Sequence, residues 1–262
     1  MTRVVATSAA GRQELIRGLL LEHGSVKSSE LVEMLDVSLM TVHRDLEVMA
    51  AEGWLRRTRG GATVQRSALF ELNVRARMNE NPAAKETIAT AALGLVSRGD
   101  ALFLDDSTTV LAFAERLGTI GPVTVITNFR KIAERAIADA ELDLITLGGQ
   151  YLASNDSYSG DITVLAIKHL SADIAFVSSS AIQGGACFHQ VPQSISVKRA
   201  MLEAAARKVL LVDHSKFEKR ALHKFIELSA FDTVIVDDGV TERDLAVLDD
   251  SGVEVIVARS KV

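Results

Sequence analysis

The chain has 262 residues, of which 48% are hydrophobic and 5% aromatic, and its formal net charge is −5. Its length accommodates two domains, and the shortage of aromatic residues favours parallel sheets covered by helices over a β-sandwich. A single cysteine, Cys187, excludes an internal disulfide, and the negative charge disfavours a protein that coats nucleic acid non-specifically.

The sequence gives no sign of a signal peptide or of a membrane-spanning run of about 18 apolar residues. We therefore expect a cytoplasmic protein that does not bind membranes. No His, Cys or Asp cluster has the spacing of metal ligands, so we expect neither a metal nor a cofactor.

Three helical patterns and a hairpin pattern occupy the first sixty residues. Apolar residues recur at helical spacing from Arg12 to His23, where Gly24 ends the helix, and a second helix opens at Ser28 or Ser29. Ser38 caps a third helix that Gly53 ends, and residues 56–62 have the composition of a short β-hairpin. This order predicts a winged helix-turn-helix in residues 1–62, followed by a polar, weakly patterned linker over 63–80.

In such a motif the third helix enters a major groove of DNA. Val42, Leu46 and Met49 must face the core, which leaves the opposite face for DNA. Arg44 suits guanine, and short hydroxyls near the helix start suit phosphates. The predicted DNA-binding residues are Ser28, Ser38, Met40, Thr41, His43, Arg44, Arg57, Arg59 and Gly60. The alternative is a small helical dimerisation or docking module with a charged, solvated face.

From Asn81-Pro82 onward, short apolar runs alternate with helical patterns. This alternation predicts a doubly wound α/β domain over residues 81–262, with a mostly parallel sheet. The expected strands lie at 101–105, 123–128, 142–148, 174–179, 209–213, 234–237 and 253–258.

Polar residues and glycines follow several of these strands, at the sheet edge where α/β folds bind ligands. Hydroxyls and free N–H groups over residues 107–109 suit a phosphate. Asp105 or Asp106 suits sugar hydroxyls, and Lys216 supplies a positive charge. The alternatives are a helix cap at 107–109, a strand-end cap at Asp105, a simple glycine turn, and a surface charge at Lys216.

These segments resemble, in order, the DeoR family of bacterial transcriptional regulators. Arg12, Ile16 and Leu20 precede the segment from Ser38 to Leu46 at the family's spacing, and residues 57–62 match its Arg-x-His-Gly-Gly-Ala. His43 and Arg59 stand where the family more often has Arg and His. Further matches are Leu104 to Thr109, Thr127-Asn128, Leu147 to Gly149, Ser159-Gly160 and Val212 to Phe217, with Ser107 in place of a usual glycine.

The resemblance implies a sensor domain similar in fold to sugar-phosphate isomerases and an effector that is a phosphorylated sugar or a related metabolite. The predicted effector-binding residues are Asp105, Asp106, Ser107, Thr108, Thr109, Thr127, Asn128, Gly148, Gly149, Gly160 and Lys216. We expect a repressor of a carbohydrate-metabolism operon that binds double-stranded operator DNA as a homo-dimer or homo-tetramer.

Two alternatives remain for the function of the chain. One is a sugar-phosphate isomerase-like enzyme with an appended DNA-binding head, in which Asp105, Asp106 and Lys216 would move protons at a sugar carbon. The other is a regulator whose C-terminal domain only oligomerises.

Overall fold

Three helices and a three-stranded sheet form the first part of the chain in the computed structural model, which describes residues 8–23, 25–51, 55–64 and 74–259. The sheet is antiparallel, in the order β1-β3-β2. The elements are α1 (Ala9–His23), β1 (Ser25–Lys27), α2 (Ser28–Leu35), α3 (Leu39–Ala51), β2 (Leu55–Thr58) and β3 (Gly61–Val64). The predicted winged helix-turn-helix is confirmed, whereas the expected helix ends at Gly24 and Gly53 lie outside the described residues.

Local chemistry explains the boundaries of this fold. Ser38 caps α3, because its Oγ accepts a hydrogen bond of 3.1 Å from the backbone N–H of Thr41. Asp36 ends α2 in the left-handed region, at a φ of 53°. A side chain at Gly61 would overlap the carbonyl oxygen of Val26, so only glycine allows β1 to pair with β3 here.

The segment expected to be a linker, residues 63–80, is partly regular. Strand β3 continues to Val64, and a further helix, α4, spans Val74–Asn79. The chain divides into two units at this helix, Met1–Arg77 and Met78–Val262.

The second unit contains six helices and twelve strands among the described residues. Pro82 occupies the first turn of its first helix, as expected. The helices are α5 (Pro82–Leu93), α6 (Thr108–Ala114), α7 (Arg130–Ile137), α8 (Asp161–Lys168), α9 (Pro192–Glu203) and α10 (Glu242–Asp250). The strands are β4 (Ala101–Leu104), β5 (Val123–Thr127), β6 (Leu142–Thr146), β7 (Gln150–Leu152), β8 (Ser157–Ser159), β9 (Ala172–Val177), β10 (Ala181–Gln183), β11 (Ala186–His189), β12 (Ala205–Leu211), β13 (His223–Glu227), β14 (Thr233–Asp237) and β15 (Glu254–Ala258).

Seven of these strands form one parallel sheet in the order β15-β14-β12-β9-β4-β5-β6. They correspond to the seven apolar runs, which confirms the predicted fold class. Some boundaries differ: the run expected at 209–213 belongs to β12, which already begins at Ala205, and the run expected at 174–179 belongs to β9, which begins at Ala172 and ends at Val177.

The order of the strands creates a switch point between β4 and β9. From β4 the chain adds β5 and β6 on one side, and it then returns to place β9, β12, β14 and β15 on the other. Ligands in open α/β sheets bind outside the carboxyl ends of strands at such a point. The β7–β8 hairpin and a small antiparallel sheet, β10-β11-β13, are further features of this unit.

Among the described residues, no helix combines the length and apolar character that crossing a bilayer requires.

Candidate functional site

Helix α3 has one buried face and one exposed face. Val42, Leu46 and Met49 are completely buried. On the other side Arg44 is exposed, and 78% of the Met40 side chain is accessible. Ser38 is exposed, while Thr41 and His43 are half-buried. The outer face therefore presents cationic, hydroxyl and apolar groups, which are the types of group that contact phosphates and base edges.

An ion pair fixes α3 against α1. Nε of Arg12 donates to Oδ2 of Asp45 at 2.7 Å, and Nη2 donates to Oδ1 at 3.2 Å. The hydrogen bond to Asp45 raises the pKa of Arg12, whose side chain is 12% exposed. Arg12 and Asp45, two residues of the sequence motif, thus position α3 from its inner side.

The hairpin between β2 and β3 brings further predicted residues together. Arg59 and Gly60 are exposed in its turn, where Gly60 has a φ of +96°. Arg57 is half-buried, and its Nη1 donates to the carbonyl oxygen of His43 at 3.2 Å. Arg57 therefore also braces the hairpin against α3.

Ser28 does not fit its predicted role. Its side chain is 3% exposed, and its hydroxyl has no hydrogen-bond partner among the described residues. Its backbone N–H donates to the carbonyl oxygen of Gly60 at 2.8 Å. Because the hydroxyl lies inside the domain, Ser28 supports the hairpin turn and does not offer a hydroxyl to phosphate.

In the second unit, a buried charge cluster occupies the switch point. Asp105 and Asp106 follow β4, and Nζ of Lys198 on α9 pairs with Oδ2 of Asp105 and, at 3.3 Å, with Oδ1 of Asp106. The three residues are at most 2% exposed. Asp105 also accepts from the backbone N–H groups of Ser107 at 3.0 Å and Ser178 at 2.8 Å. The cluster joins β4, β9 and α9, and two carboxylates with one ammonium leave it formally at −1.

The β7–β8 hairpin is tied to the same cluster. Oδ2 of Asp106 accepts hydrogen bonds from Nδ2 of Asn155 at 3.2 Å and from Oγ of Ser157 at 2.9 Å. A third bond of 3.2 Å comes from Oγ of Ser194 on α9. Asp105 and Asp106 are thus largely engaged by protein donors. The expectation that one of them binds sugar hydroxyls requires an effector to displace a donor such as Ser157.

A second charged group holds the turn of this hairpin. Asp156 has a φ of 55° and accepts from Nε and Nη2 of Arg130 at 2.6 and 2.8 Å and from the Tyr151 hydroxyl at 2.7 Å. Burial raises the pKa of Asp156, but the bonds from Arg130 and Tyr151 outweigh burial and lower it below its ordinary value. The hydrogen bond to Asp156 raises the pKa of the Tyr151 hydroxyl.

The hydroxyl side chains predicted to bind effector after β4 and β5 are buried: Ser107, Thr108, Thr109 and Thr127. Oγ of Ser107 caps α6 by accepting from the N–H of Val110 at 3.1 Å. Oγ1 of Thr127 donates to the carbonyl of Leu104 at 2.7 Å and accepts from the N–H of Phe129 at 3.0 Å. Ser107 and Thr127 therefore stabilise the turns after β4 and β5. Thr108 and Thr109 are 8% and 2% exposed.

The predicted glycines lie beside the hairpin. Gly149 has a φ of +149°, and a side chain there would overlap Oγ1 of Thr163 and the carbonyl oxygen of Ser159. Oγ1 of Thr163 also donates to the carbonyl of Gly148 at 2.7 Å. Gly160, at a φ of +89°, precedes α8. Gly149 therefore permits the close packing of α8, the hairpin and the end of β6.

Lys216 is placed in a different charge group. Its Nζ lies 3.2 Å from Oδ2 of Asp213 and 3.9 Å from Oε2 of Glu80. Oε2 of Glu80 also accepts from Nζ of Lys219 at 2.9 Å, and Oδ1 of Asp213 accepts from Nδ2 of Asn81 at 2.9 Å. Two carboxylates therefore already oppose the charge that Lys216 is predicted to supply to a phosphate, and its contact with phosphate stays a prediction.

We expect Asp213→Asn to change how stability depends on pH. Burial raises the pKa of Asp213, but Lys216, Ser215 and Asn81 outweigh burial, so the folded-state pKa lies below the ordinary value of 3.8. A depressed carboxyl pKa stabilises the fold at a pH above that of the unfolded group, and this contribution is lost as the pH falls through the folded value. Denaturant unfolding should show wild type to be about 2 kcal/mol more stable than the variant at pH 7, with the difference shrinking below about pH 4.

A matched control is Asp143→Asn, which changes an exposed carboxylate of β6. It should change the free energy of unfolding at pH 7 by less than about 0.5 kcal/mol. A difference between wild type and Asp213→Asn that stays constant from pH 7 to pH 3 would contradict the assignment.

Sequence reasoning missed several residues of the switch point. Lys198 could have been predicted, because Ile195, Met201 and Leu202 at helical spacing place it on the buried face of α9. A buried lysine needs a carboxylate as its partner. Asn155, Ser157 and Ser194 gave no signal, since polar residues in short segments are normally exposed.

Comparison with known proteins bears on both units. The DeoR-like helix-turn-helix domain matches residues 12–68, and the DeoR C terminal sensor domain matches residues 80–238. Ribose 5-phosphate isomerase A from Methanocaldococcus jannaschii aligns with 53% of this chain and 55% of its own, at 20% identity and a TM-score of 0.40.

Two curated relatives extend over most of the chain. A putative aga operon transcriptional repressor of Escherichia coli O157:H7 is 30% identical over 97% of this chain and 95% of its own length. An L-fucose operon activator of Haemophilus influenzae is 32% identical over 86% of this chain and 91% of its own. Together with the two domain matches, these relatives establish that the chain belongs to the DeoR family.

Proposed function

We propose that this chain is a transcriptional repressor of a carbohydrate-metabolism operon and that a phosphorylated sugar controls its binding to double-stranded operator DNA. In this proposal residues 1–62 read DNA and residues 81–262 sense the effector, with α4 between them. The observation that carries the proposal is the exposed outer face of α3, with Met40 and Arg44 opposite a completely buried inner face. We further propose that the protein acts in the cytoplasm.

The DNA contacts we propose are those of the exposed groups. Arg44 would bind a guanine edge, Met40 a thymine methyl group, and Ser38, Thr41 and His43 the phosphates near the helix start. The hairpin turn would add Arg59 and Gly60, with Arg57 bracing it. Helix-turn-helix proteins usually bind two half-sites about 10 bp apart, and each half-site needs its own DNA-binding domain. Because this chain has one such domain, we propose that it acts as a homo-dimer or homo-tetramer.

The effector site we propose lies at the switch point, under the β7–β8 hairpin. Asp105, Asp106 and Lys198 form its floor, and Asn128, Gly148, Gly149 and Gly160 border it. Because the floor carries a formal charge of −1, the phosphate would bind away from it and the sugar hydroxyls would bind nearer. Ser107, Thr108, Thr109 and Thr127 shape the turns around the site.

The two rival functions find less support. The relatives named above are regulators, and the lysine expected to move protons, Lys216, is neutralised by Asp213 and Glu80. We therefore propose that the chain is not an enzyme. One relative is named a repressor and another an activator. The tests of this proposal must therefore also show whether the effector lowers or raises the affinity for operator DNA.

A thermal-shift screen against sugar phosphates tests the effector class. A ligand that binds only the folded state at 100 times its Kd should stabilise that state by about 2.7 kcal/mol, so the right sugar phosphate should raise the Tm by several degrees. The matched controls are the same sugars without phosphate, and inorganic phosphate. If no sugar phosphate raises the Tm while operator binding is intact, the sensor only oligomerises. Turnover of a sugar phosphate would identify an enzyme.

A further inference from the structure

Two buried uncharged polar atoms at the carboxyl edge of the sheet have no hydrogen-bond partner among the described residues. They are Oδ1 of Asn128 and Oγ of Ser159, and each residue is 1% exposed. Native proteins retain few such atoms, because burying a polar group without a partner opposes folding. Two of them on adjoining segments therefore call for a functional explanation.

The backbone of Tyr158 holds Asn128 beside Ser159. Nδ2 of Asn128 donates to the carbonyl oxygen of Tyr158 at 2.8 Å, and the N–H of Tyr158 donates to the carbonyl of Asn128 at 2.9 Å. A carbonyl oxygen can only accept, so the amide nitrogen of Asn128 must face it. Oδ1 is thereby directed away from Tyr158 and is left as an acceptor.

The hydroxyl of Ser159 points to the side of the strand that faces the switch point. Side chains alternate along β8, and Ser157 and Ser159 are both buried while Tyr158 between them is half-exposed. Oγ of Ser157 donates to Asp106 in the charge cluster. The Ser159 side chain, on the same face of β8, is therefore directed to the same side.

We propose that Asn128 and Ser159 together bind one hydroxyl group of the effector's sugar moiety. This inference rests on the proposed function and names what this part of the site recognises. Oδ1 of Asn128 only accepts, whereas Oγ of Ser159 can donate. A sugar hydroxyl does both, so a single group can donate to Asn128 and accept from Ser159.

A phosphate fits this position poorly. A phosphate dianion has no proton to donate to Oδ1 of Asn128, and the nearby charge cluster of Asp105, Asp106 and Lys198 has a net negative charge. The pair therefore reads the sugar end of the effector and discriminates against an analogue that lacks the hydroxyl.

The first test compares Ser159→Ala with Ser157→Ala in the unliganded full-length protein. Removing an unsatisfied buried hydroxyl should raise the Tm by about 2–4 °C, whereas removing the satisfied hydroxyl of Ser157 should lower it by a similar amount. The two substitutions are identical and lie two residues apart on one face of β8. A Tm that falls in both variants would overturn the inference, because it would mean that the Ser159 hydroxyl already has a partner such as a water molecule.

The second test uses the sugar phosphate that stabilises wild type most, together with its monodeoxy analogues, in titration calorimetry. One deoxy position should weaken binding to wild type about tenfold. Ser159→Ala should bind the parent compound about tenfold more weakly and should lose most of the discrimination against that one analogue. Unchanged affinity and discrimination in the variant would overturn the inference. If no sugar phosphate binds wild type at all, the proposed effector class fails as well, and the Tm comparison shows separately whether the Ser159 hydroxyl is unsatisfied.

Discussion

Replacing Lys198 with methionine is expected to lower the free energy of unfolding by about 3–5 kcal/mol at pH 7. The ammonium lies between the carboxylates of Asp105 and Asp106, and all three groups are at most 2% exposed. Methionine keeps the length of the side chain but leaves two buried carboxylates without a counter-charge. Their remaining hydrogen bonds, from Ser107, Ser178 and the hairpin, offset only part of that loss.

Urea unfolding at pH 7 measures the loss in Lys198→Met. Lys224→Met is the matched control, because Lys224 pairs with Glu227 on the surface and its loss should cost at most about 1 kcal/mol.

A double variant separates charge from packing. Adding Asp105→Asn to Lys198→Met removes one of the two carboxylates, so stability should partly recover. If Lys198→Met instead costs less than about 1 kcal/mol, the cluster does not organise the switch point in the way its geometry indicates.

Arg44→Ala is expected to weaken operator binding about 10- to 100-fold without lowering the Tm. Arg44 is exposed on α3, and a guanidinium bidentate to guanine contributes about 1–3 kcal/mol to discrimination between bases. The measurement is fluorescence anisotropy at fixed salt, on a duplex that the protein has selected from random sequences. Arg243→Ala, which removes the same charge from an exposed position on α10, should leave affinity unchanged.

The pattern of the loss distinguishes two kinds of contact. If Arg44 reads a base, the variant should lose preference at one position of the site. If it binds only phosphate, affinity should fall uniformly across sequences and the salt dependence should weaken. Affinity equal to that of wild type would remove Arg44 from the interface.

The elements that sequence predicts best are those with a long or repeated pattern. Val42, Leu46 and Met49 mark the inner face of α3 through helical spacing, and the seven strands of the large sheet are apolar runs because both faces of a parallel sheet are covered. The short strands β7, β8, β10 and β11 were not predicted, because three or four residues among serines and glycines are too few to show a periodic pattern.

The candidate site was predicted less completely, for a physical reason. Its charge cluster joins Asp106 to Asn155, Ser194 and Lys198, residues far apart in the sequence that only the folded domain brings together. The ion pair between Lys216 and Glu80 was not foreseen, because Glu80 precedes α5, more than a hundred residues earlier in the sequence. Ser28 was misjudged because a helix start is normally exposed, whereas here the Gly60 turn covers it.

The most direct test of the central claim is operator affinity measured with and without the sugar phosphate that raises the Tm. Linkage requires that an effector which changes DNA affinity by some factor has its own affinity changed by the same factor when DNA is bound. We expect saturating effector to change the operator Kd about 5- to 150-fold, with an equal reciprocal change in the effector Kd. An effector that binds the protein and leaves the operator Kd unchanged would contradict the proposal that this chain is a metabolite-controlled repressor.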